Sequence, residues 1–305
     1  MKYLVTGGAG FIGSHLVSEL LDVGHCVNVL DDFSTGFSNN LDTKHKNLNI
    51  IQGDIRNDTL LIKALRGVQG VFHLASKVFV EESFQDPDAY FDVNVNGTLK
   101  IIKQCIEHKI QNIVFSSSCA VYGKPDRMPI TEDTMTFPLS PYGLSKLTAE
   151  DCGRLFSQTG QLSFTVLRYF NVYGRGQRAD SPYSGVISLF IEEAKNAGAV
   201  KIYGSGKQTR DFIYVKDVVA ANLLVMEQNK IGFTIYNCCT NTETSILDLV
   251  ATIETCTDSN LAKTFFPERK GDILKSKGSY LSLNQATGWI PKFTLQEGLR
   301  TLFQN

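Results

Sequence analysis

The chain has 305 residues, of which 43% are hydrophobic and 20% are charged, and its formal net charge is −1. This is an ordinary globular composition with enough length for one large or two modest cores, and the balanced charge gives no reason to expect nucleic acid or an anionic membrane as a partner. No apolar run approaches the roughly 18 residues of a membrane span, and no secretory signal is recognisable before the first strand. We therefore expect a cytoplasmic protein. The seven cysteines form no C-x-x-C pair and the five histidines show no metal-ligand spacing, so we expect reduced thiols and no metal.

The first predicted elements are a strand, a glycine turn and a helix. Residues 2–6 predict a strand, 7–10 a turn, and the helix begins at Phe11 and runs to Gly24. The spacing fits G-x-G-x-x-G from Gly8 and G-x-x-G-x-x-G from Gly7. Unpaired N–H groups at a helix N-terminus bind phosphate, and glycines allow close approach of the backbone. The turn therefore predicts a pyrophosphate site, although a lone match of this kind would be equally consistent with a plain structural turn.

The second predicted strand, residues 26–30, ends at Asp31. An acidic residue roughly twenty positions after the glycines accepts hydrogen bonds from an adenosine ribose and repels a 2′-phosphate. No Arg or Lys lies between Asp31 and Lys44. The pattern favours NAD over NADP, and the alternative is a solvated loop acid.

The first half continues as alternating strands and helices. Strands are predicted at 48–52, 71–75, 112–116 and 164–168, and helices at 58–66, 88–108 and from 141 or 142 to 158. Apolar strands alternating with helices predict an α/β fold with a doubly wound parallel sheet. We expect residues 1–170 to form the dinucleotide-binding domain, with returns from later segments, and 171–305 to form mainly a smaller α/β substrate lobe.

The second half is less regular. We predict a long loop at 171–185, helices at 185–196, 215–228, 245–256 and 294–303, a strand at 200–203 and a turn at 204–211. A loop of that length in a compact protein is usually functional.

Polar or small residues follow three strands of the first half. Asp54 follows the third strand, 74–76 follow the fourth, and Ser116, Ser117 and Ser118 follow the fifth. Ligands of parallel sheets bind at the carboxyl ends of strands, so these residues are predicted to line the cofactor cleft. Helix capping or turn formation is the alternative for Asp54.

Tyr142 and Lys146 are four residues apart in a predicted helix and share one face. A lysine cation beside a phenol favours phenolate, so we expect a lowered pKa for Tyr142 and a role as general base and acid. This spacing alone is common in surface pairs. Its position after the serine-rich strand end and behind a dinucleotide turn favours catalysis.

Several motifs occur in order along the chain. They are TGGAGFIGSH at 6–15, GDI at 53–55, HLA at 73–75, NVNGT at 94–98, SSSCAVYG at 116–123, PYGLSK at 141–146 and RYFN at 168–171. With them the chain resembles the extended short-chain dehydrogenase/reductase family, in its NAD-dependent sugar epimerase/dehydratase branch. Within that branch it is most similar to UDP-hexose 4-epimerases, and the resemblance covers nearly the whole chain.

The resemblance implies a reaction and its catalytic residues. Tyr142 would take the proton of the sugar 4-hydroxyl while hydride leaves C4 for NAD, Ser118 would hydrogen-bond the reacting hydroxyl, and Lys146 would hold the nicotinamide ribose. The 4-keto sugar would turn and receive hydride on its other face. NAD would be regenerated in each turnover and held tightly.

The resemblance also implies binding residues. Cofactor contacts are expected at Gly7, Gly10, Phe11, Ile12, Gly13, Asp31, Asp32, Phe33, Ser34, Thr35, Gly36, Asp54, Ile55, Leu74, Ala75, Ser76, Asn94, Ser116, Tyr142, Lys146 and Phe170. Substrate contacts are expected at Val78, Ser118, Tyr142, Asn171, Val186, Tyr203, Arg210, Arg269, Asp272 and Ser276.

Ser276 bears on substrate size. In epimerases restricted to plain hexoses, a bulky tyrosine is typical four residues after the position of Asp272. A serine there would leave room for an N-acetyl group, which predicts turnover of UDP-GlcNAc and UDP-GalNAc beside UDP-glucose and UDP-galactose.

Other reactions and an assembly remain open. Lys77 departs from the family pattern and would favour a uronic acid, as in a UDP-glucuronate epimerase. Nucleotide-sugar 4,6-dehydratases and decarboxylases carry acidic residues after the active-site Ser or Thr, whereas Cys119 and Ala120 stand here. A catalytically silent NAD-binding regulator is a third alternative, although retention of the catalytic residues argues against it.

Family members usually dimerise through a four-helix bundle, which predicts a homodimer through helices 88–108 and 142–158.

Overall fold

The computed structural model describes residues 1–179, 185–196, 198–228, 230–268 and 273–304. The strands are β1 Lys2–Thr6, β2 Cys26–Asp31, β3 Leu48–Gln52, β4 Gly70–His73, β5 Asn112–Ser118, β6 Ser163–Tyr169, β7 Asn171–Tyr173, β8 Ala199–Tyr203, β9 Thr209–Arg210, β10 Phe212–Tyr214, β11 Gly232–Cys238, β12 Thr244–Ser245 and β13 Ala262–Phe266. The helices are α1 Phe11–Asp22, α2 Asp58–Ala64, α3 Val80–Gln85, α4 Pro87–Phe91, α5 Gly97–Glu107, α6 Pro141–Ser157, α7 Val186–Lys195, α8 Val215–Glu227, α9 Ile246–Thr257, α10 Leu281–Thr287 and α11 Leu295–Phe303.

Seven strands form the central sheet, in the order β11-β6-β5-β4-β1-β2-β3. The pairs β1–β2, β2–β3, β1–β4 and β4–β5 are parallel, with Val5 opposite Val29 on one side and Phe72 on the other. The chain winds outward from β1 first to one edge and then to the other, which confirms the predicted doubly wound α/β sheet. All seven residues of β6 are buried, as expected of a strand covered on both faces.

The chain divides into two compact units. The first consists of Met1–Gly123, Thr136–Arg168 and Val219–Tyr236, and the second of Lys124–Met135, Tyr169–Val218 and Asn237–Asn305. Among the described residues, three two-stranded sheets lie outside the central one: β7–β10 and β8–β13 are parallel, and β9–β12 is antiparallel. None of the described helices is long and apolar enough to span a membrane.

The structure differs from the sequence-based elements at several places. The helix predicted at 88–108 is α4 followed by a π-helical segment, Asp92–Asn96, and then α5, and α3 precedes it. The segment predicted as a loop begins with β7, and the strand β11 and the helix α10 had no predicted counterpart. Five of the seven residues of β11 are only partly buried, so the strand lacks the apolar run that marks β1 or β6.

Candidate active site

The glycine turn lies in tight contact with the end of β4. Gly7 has φ +68°, and a Cβ placed there would lie 2.7 Å from the backbone nitrogen of Ala75. A Cβ on Gly13, in the first turn of α1, would lie 2.8 Å from the Cα of Gly8 in the glycine turn. These two positions therefore require glycine, one for its conformation and both for space.

The N-terminus of α1 fits an anionic ligand. The helix follows Gly10, and within the described part of the chain no side-chain oxygen caps it and no acidic residue stands in its first turn. Its first N–H groups and the positive end of its dipole are thus left to a ligand. A dinucleotide pyrophosphate would fit at this helix N-terminus.

Asp31 fixes the geometry beside the turn. Its Oδ2 accepts a hydrogen bond from the Ala9 N–H at 2.8 Å, and its Oδ1 accepts one from the Phe33 N–H at 2.8 Å. Burial raises the pKa of Asp31 while these two bonds lower it. Each carboxylate oxygen keeps a lone pair, so the two bonds hold Asp31 in place and leave it able to accept from a ribose hydroxyl.

The segment after Asp31 packs back on the glycine turn. Phe33 has a positive φ of 57°, and Ser34 donates to the Asp32 carboxylate from its backbone nitrogen at 2.9 Å. A Cβ on Gly36 would lie 2.7 Å from the carbonyl carbon of Ala9. The predicted cofactor contacts at 31–36 therefore lie beside the turn, in the first unit.

Gly7→Ala tests the turn, with Gly24→Ala as its matched control. Both glycines have positive φ, but nothing lies within 4 Å of a Cβ at Gly24. We expect about 1 kcal/mol of destabilisation from Gly24→Ala, and at least about 2 kcal/mol together with loss of retained NAD from Gly7→Ala. Urea unfolding and release of NAD on denaturation measure the two effects. Equal destabilisation and equal NAD content in the two variants would contradict the assigned role.

Asp54 forms a turn and an ion pair and does not cap a helix. Helix α2 is capped by Asn57, whose side chain accepts from Leu60 N–H at 3.1 Å. Asp54 accepts from the backbone and the guanidinium of Arg56, which also pairs with Asp92 in the π-helical segment. Arg56 lowers the pKa of Asp54 and holds it ionised. Turn formation, one of the two alternatives for this residue, is thus present.

A buried histidine links β1 to the start of α5. His73 Nδ1 lies 2.8 Å from Thr6 Oγ1, and its Nε2 lies 2.9 Å from Thr98 Oγ1. Thr98 donates to the carbonyl of Asn94 and Thr6 accepts from Ala75 N–H, so the ring accepts at Nδ1 and donates from Nε2. Burial first, and then Lys146, lower the pKa of His73 to about 3. The ring is neutral, and it is a positioning group rather than a proton carrier.

Asn94 connects this network to helix α6. Its side-chain amide donates to the Lys77 carbonyl at 3.0 Å and to Ser145 Oγ at 2.9 Å, and it accepts from Lys77 N–H at 2.8 Å. Ser145 in turn donates to the carbonyl of Tyr142 at 2.8 Å. The π-helical turn places Asn94 to reach both partners. Its contact with a cofactor stays a prediction, whereas its contact with the tyrosine-bearing helix is present.

Tyr142, Lys146 and Ser118 come together at the start of α6 and the end of β5. Pro141 opens the helix and Ser140 caps it by accepting from Gly143 N–H at 3.0 Å. The ammonium of Lys146 lies 4.6 Å from the centre of the Phe115 ring. Tyr142 is 9% exposed and Lys146 is 2% exposed. The phenol of Tyr142 is hydrogen-bonded with the hydroxyl of Ser118, which is partly buried, and Lys146 follows one helical turn later.

The expected lowering of the Tyr142 pKa is wrong for the protein alone. Burial raises the pKa of Tyr142 to about 12, and the hydrogen bond with Ser118 offsets only part of that effect. Burial lowers the pKa of Lys146 to about 7. Desolvation penalises both charged forms, and the sequence spacing could not show how deeply the pair is buried.

Lys77 is already paired. Its ammonium lies 2.8 Å from Glu82 Oε1 and 5.4 Å from the centre of the Tyr90 ring. The charge that was expected to favour a uronic acid is therefore balanced within the first unit. Of the remaining predicted residues of this unit, Leu74, Ala75, Ser76 and Val78 follow β4, Ile55 lies between β3 and α2, and Ser116 lies in β5.

The predicted substrate residues that the structure describes beyond β6 lie in the second unit. Asn171 opens β7 and donates from its side chain to the Asp211 carbonyl at 3.1 Å, Val186 opens α7, and Tyr203 ends β8. The guanidinium of Arg210 donates to the Ile273 carbonyl at 2.6 Å. Phe170, Asn171, Val186, Tyr203, Arg210 and Ser276 belong to this unit, and Arg269 and Asp272 lie outside the described residues.

Asp211 is a central residue of the second unit that the sequence analysis missed. It is fully buried, its Oδ1 accepts from Thr240 N–H at 2.8 Å and its Oδ2 accepts from Gly278 N–H at 3.1 Å. It thereby anchors the segment that carries Ser276. The charge of the neighbouring Arg210 is enough to predict a diphosphate contact from the sequence. No sequence pattern around Asp211 indicates that its carboxylate bonds to distant loops.

A parallel sheet with a glycine turn, an acidic residue at the end of its second strand, and Ser118, Tyr142 and Lys146 at the end of β5 and the start of α6 is typical of a nucleotide-dependent enzyme of the dehydrogenase type. The model of the NAD dependent epimerase/dehydratase family matches residues 3–239 of the chain. The chain belongs to that family, which confirms the family predicted from the motifs and NAD as its cofactor.

Solved structures agree over nearly the whole length. A UDP-glucose 4-epimerase of Thermotoga maritima with UDP-glucose has 35% identity and a TM-score of 0.93, covering 98% of this chain and 96% of that one. A UDP-N-acetylglucosamine 4-epimerase of Methanobrevibacter ruminantium, in complex with UDP-N-acetylmuramic acid, has 36% identity and a TM-score of 0.94 with the same coverage. A UDP-glucose 4-epimerase of Thermus thermophilus in complex with NAD has 33% identity and a TM-score of 0.90, covering 98% and 97%.

Proposed function

We propose that this protein is an NAD-dependent UDP-hexose 4-epimerase that interconverts UDP-glucose and UDP-galactose, and UDP-GlcNAc and UDP-GalNAc, through a 4-keto sugar. The single observation that carries the proposal is the hydrogen bond between Tyr142 and Ser118, with Lys146 one turn further along the same buried helix face, in a unit whose glycine turn fits a dinucleotide. The similar solved structures include 4-epimerases of both kinds of sugar.

The chain's own groups handle the proton. NAD, when bound, accepts hydride from C4 of the sugar and returns it. Tyr142 takes the proton of the 4-hydroxyl and gives it back to the oxygen after the sugar has turned, and Ser118 holds that oxygen by a hydrogen bond. Because burial raises the pKa of Tyr142, its phenolate needs a neighbouring cation, which Lys146 supplies in its ammonium form.

Elimination and decarboxylation are disfavoured by the residues after Ser118. Cys119 and Ala120 stand there, and the sequence has no carboxylate between Ser116 and Gly123. Removing a proton from C5, or assisting loss of water, needs a positioned acid and base. We therefore expect a 4-keto sugar formed here to be reduced again, and reduction on its other face gives the 4-epimer.

The second unit would bind the nucleotide. A diphosphate is best bound by an arginine fork, and Arg210 and Arg269 are the arginines we assign to it. Asp272 would accept from a ribose hydroxyl, Tyr203 would lie at the base, and Asn171 and Val186 would complete the site.

Ser276→Tyr tests the sugar selectivity, with Ser276→Ala as its control. Ser276 is 6% exposed, so a tyrosine there takes space from its surroundings. We expect kcat/KM for UDP-GlcNAc to fall at least about 10-fold relative to UDP-glucose in the tyrosine variant, and the ratio to stay near wild type in the alanine variant. An unchanged ratio in Ser276→Tyr would show that this residue does not set sugar size.

We place the protein in the cytoplasm as a homodimer. Its seven cysteines form no C-x-x-C pair, a pattern that fits a reducing compartment. Leu144 and Leu155 on α6, one of the two predicted bundle helices, are 45% and 56% exposed. Exposed apolar side chains on helices fit a four-helix bundle with a second copy. Sedimentation of wild type and of Leu155→Glu tests this, and a wild-type monomer would contradict it.

The fate of deuterium at C4 tests the reaction. We expect UDP-glucose deuterated at C4 to give UDP-galactose that keeps the label at C4, since the same hydride returns to the same carbon. Movement of the label to C6, with a 4-keto-6-deoxy product, would establish a dehydratase instead.

A further inference from the structure

Helix α6 carries three ionisable residues on one buried face. Tyr142, Lys146 and Glu150 are four residues apart in turn, so their side chains follow one another along the helix. They are 9%, 2% and 2% exposed. The proposed reaction uses the first two, and it leaves the third, a buried carboxylate, without a role.

The carboxylate of Glu150 is held rigidly. Arg168 on β6 donates from Nη2 to Oε2 at 2.6 Å and from Nε to Oε1 at 3.0 Å, and Ser117 on β5 donates to Oε1. The guanidinium of Arg168 lies 4.7 Å from the centre of the Tyr122 ring. The pair raises the pKa of Arg168 and leaves little freedom for either side chain.

Among the described residues, the groups placed around Lys146 come from β4, β5 and α6, and Arg168 of β6 is the cation that bonds Glu150. Phe115 of β5 presents its ring at 4.6 Å, His73 of β4 is neutral, and Tyr142 and Glu150 flank it on α6. Burial lowers the pKa of Lys146, and Glu150 is the group that raises it. A buried ammonium needs such a counter-charge, because desolvation favours the neutral amine.

We propose that Glu150 is a positioning residue for the reaction: its fixed, buried carboxylate, one turn from Lys146 along α6, keeps Lys146 in the cationic form. This inference rests on the proposed function, since it explains how the cation that Tyr142 needs is maintained. Arg168 and Ser117 contribute indirectly, because their hydrogen bonds hold the carboxylate of Glu150 in place.

Removing the carboxylate should lower the pH at which Lys146 loses its proton. Without Glu150 the ammonium of Lys146 loses its proton at lower pH, so activity is lost from the alkaline side earlier. A purely structural role would lower stability or the amount of active protein, and it would leave the titration of Lys146 where it was.

The direct test is NMR titration of Lys146 in the purified full-length protein labelled with ¹³Cε-lysine, with the signal assigned by Lys146→Arg. Glu150→Gln is compared with Glu150→Gln/Arg168→Met, which leaves no uncompensated guanidinium and keeps the test usable if the single variant folds poorly. Asp151→Asn is the matched control, since it removes an exposed carboxylate from the next position of the same helix. Glu150→Asp retains the charge.

We expect the Lys146 midpoint to fall by about one pH unit or more in both Glu150→Gln proteins, to stay at the wild-type value in Asp151→Asn, and to recover at least partly in Glu150→Asp. The alkaline limb of kcat against pH moves with it. A Lys146 midpoint that is the same in wild type and the double variant overturns the inference. Because this titration needs no turnover, it is independent of whether the protein epimerises a UDP-hexose; absence of turnover in wild type would count against the proposed function alone.

Discussion

Tyr142→Phe should lower kcat for UDP-glucose by about 10³-fold while leaving the fold and the retained NAD unchanged. The substitution removes only the hydroxyl, and the ring keeps its edge-on contact with Tyr90, whose centre lies 6.3 Å away. Initial rates from a discontinuous assay of UDP-galactose, with the thermal midpoint and NAD content measured on the same preparation, give the comparison.

The control for this loss of turnover is the thermal midpoint and the NAD content of the same preparation. A variant with wild-type stability and NAD content but strongly reduced turnover identifies a proton-transfer group. Turnover within about three-fold of wild type would contradict the role of Tyr142, because general acid–base groups contribute 10²-fold or more.

Arg168→Met should destabilise the first unit by about 3–5 kcal/mol, since it leaves the Glu150 carboxylate buried without its partner. The two side chains are 4% and 2% exposed. Adding Glu150→Gln should restore most of the loss, because the remaining groups are then neutral. Urea unfolding of both single variants and the double variant gives the coupling free energy.

Arg154→Met is the comparison for this pair. Arg154 and Asp151 lie 3.0 Å apart on the same helix but are 44% and 54% exposed, so we expect less than about 1 kcal/mol. If Arg168→Met costs no more than Arg154→Met, the buried pair does not stabilise the fold in the way proposed.

The parts that the sequence predicted are those encoded locally. The glycine turn is one such part, because a positive φ at Gly7 and the lack of space at Gly13 leave a visible residue pattern. Asp31 at the end of β2 and the Tyr142–Lys146 spacing are others, since both depend on short distances along one element. Continuous apolar strands such as β6 likewise predicted the parallel sheet.

The parts that escaped the sequence depend on distant residues. Strand β11 joins the central sheet from far along the chain and is only partly buried, so the hydrophobic periodicity of its sequence is weak. The π-helical turn at Asp92–Asn96 is accompanied by contacts of Asn94 with Lys77 and Ser145. The error over the Tyr142 pKa has the same origin, because burial is a tertiary property that residue spacing does not report.

The most direct measurement is proton NMR of the purified protein with UDP-glucose and then with UDP-N-acetylglucosamine, with no cofactor added. We expect new anomeric and H4 signals of the galacto sugar in both samples, with no keto or 6-deoxy product. If neither sugar changes even after NAD is supplied, the assignment as a 4-epimerase of these sugars is wrong.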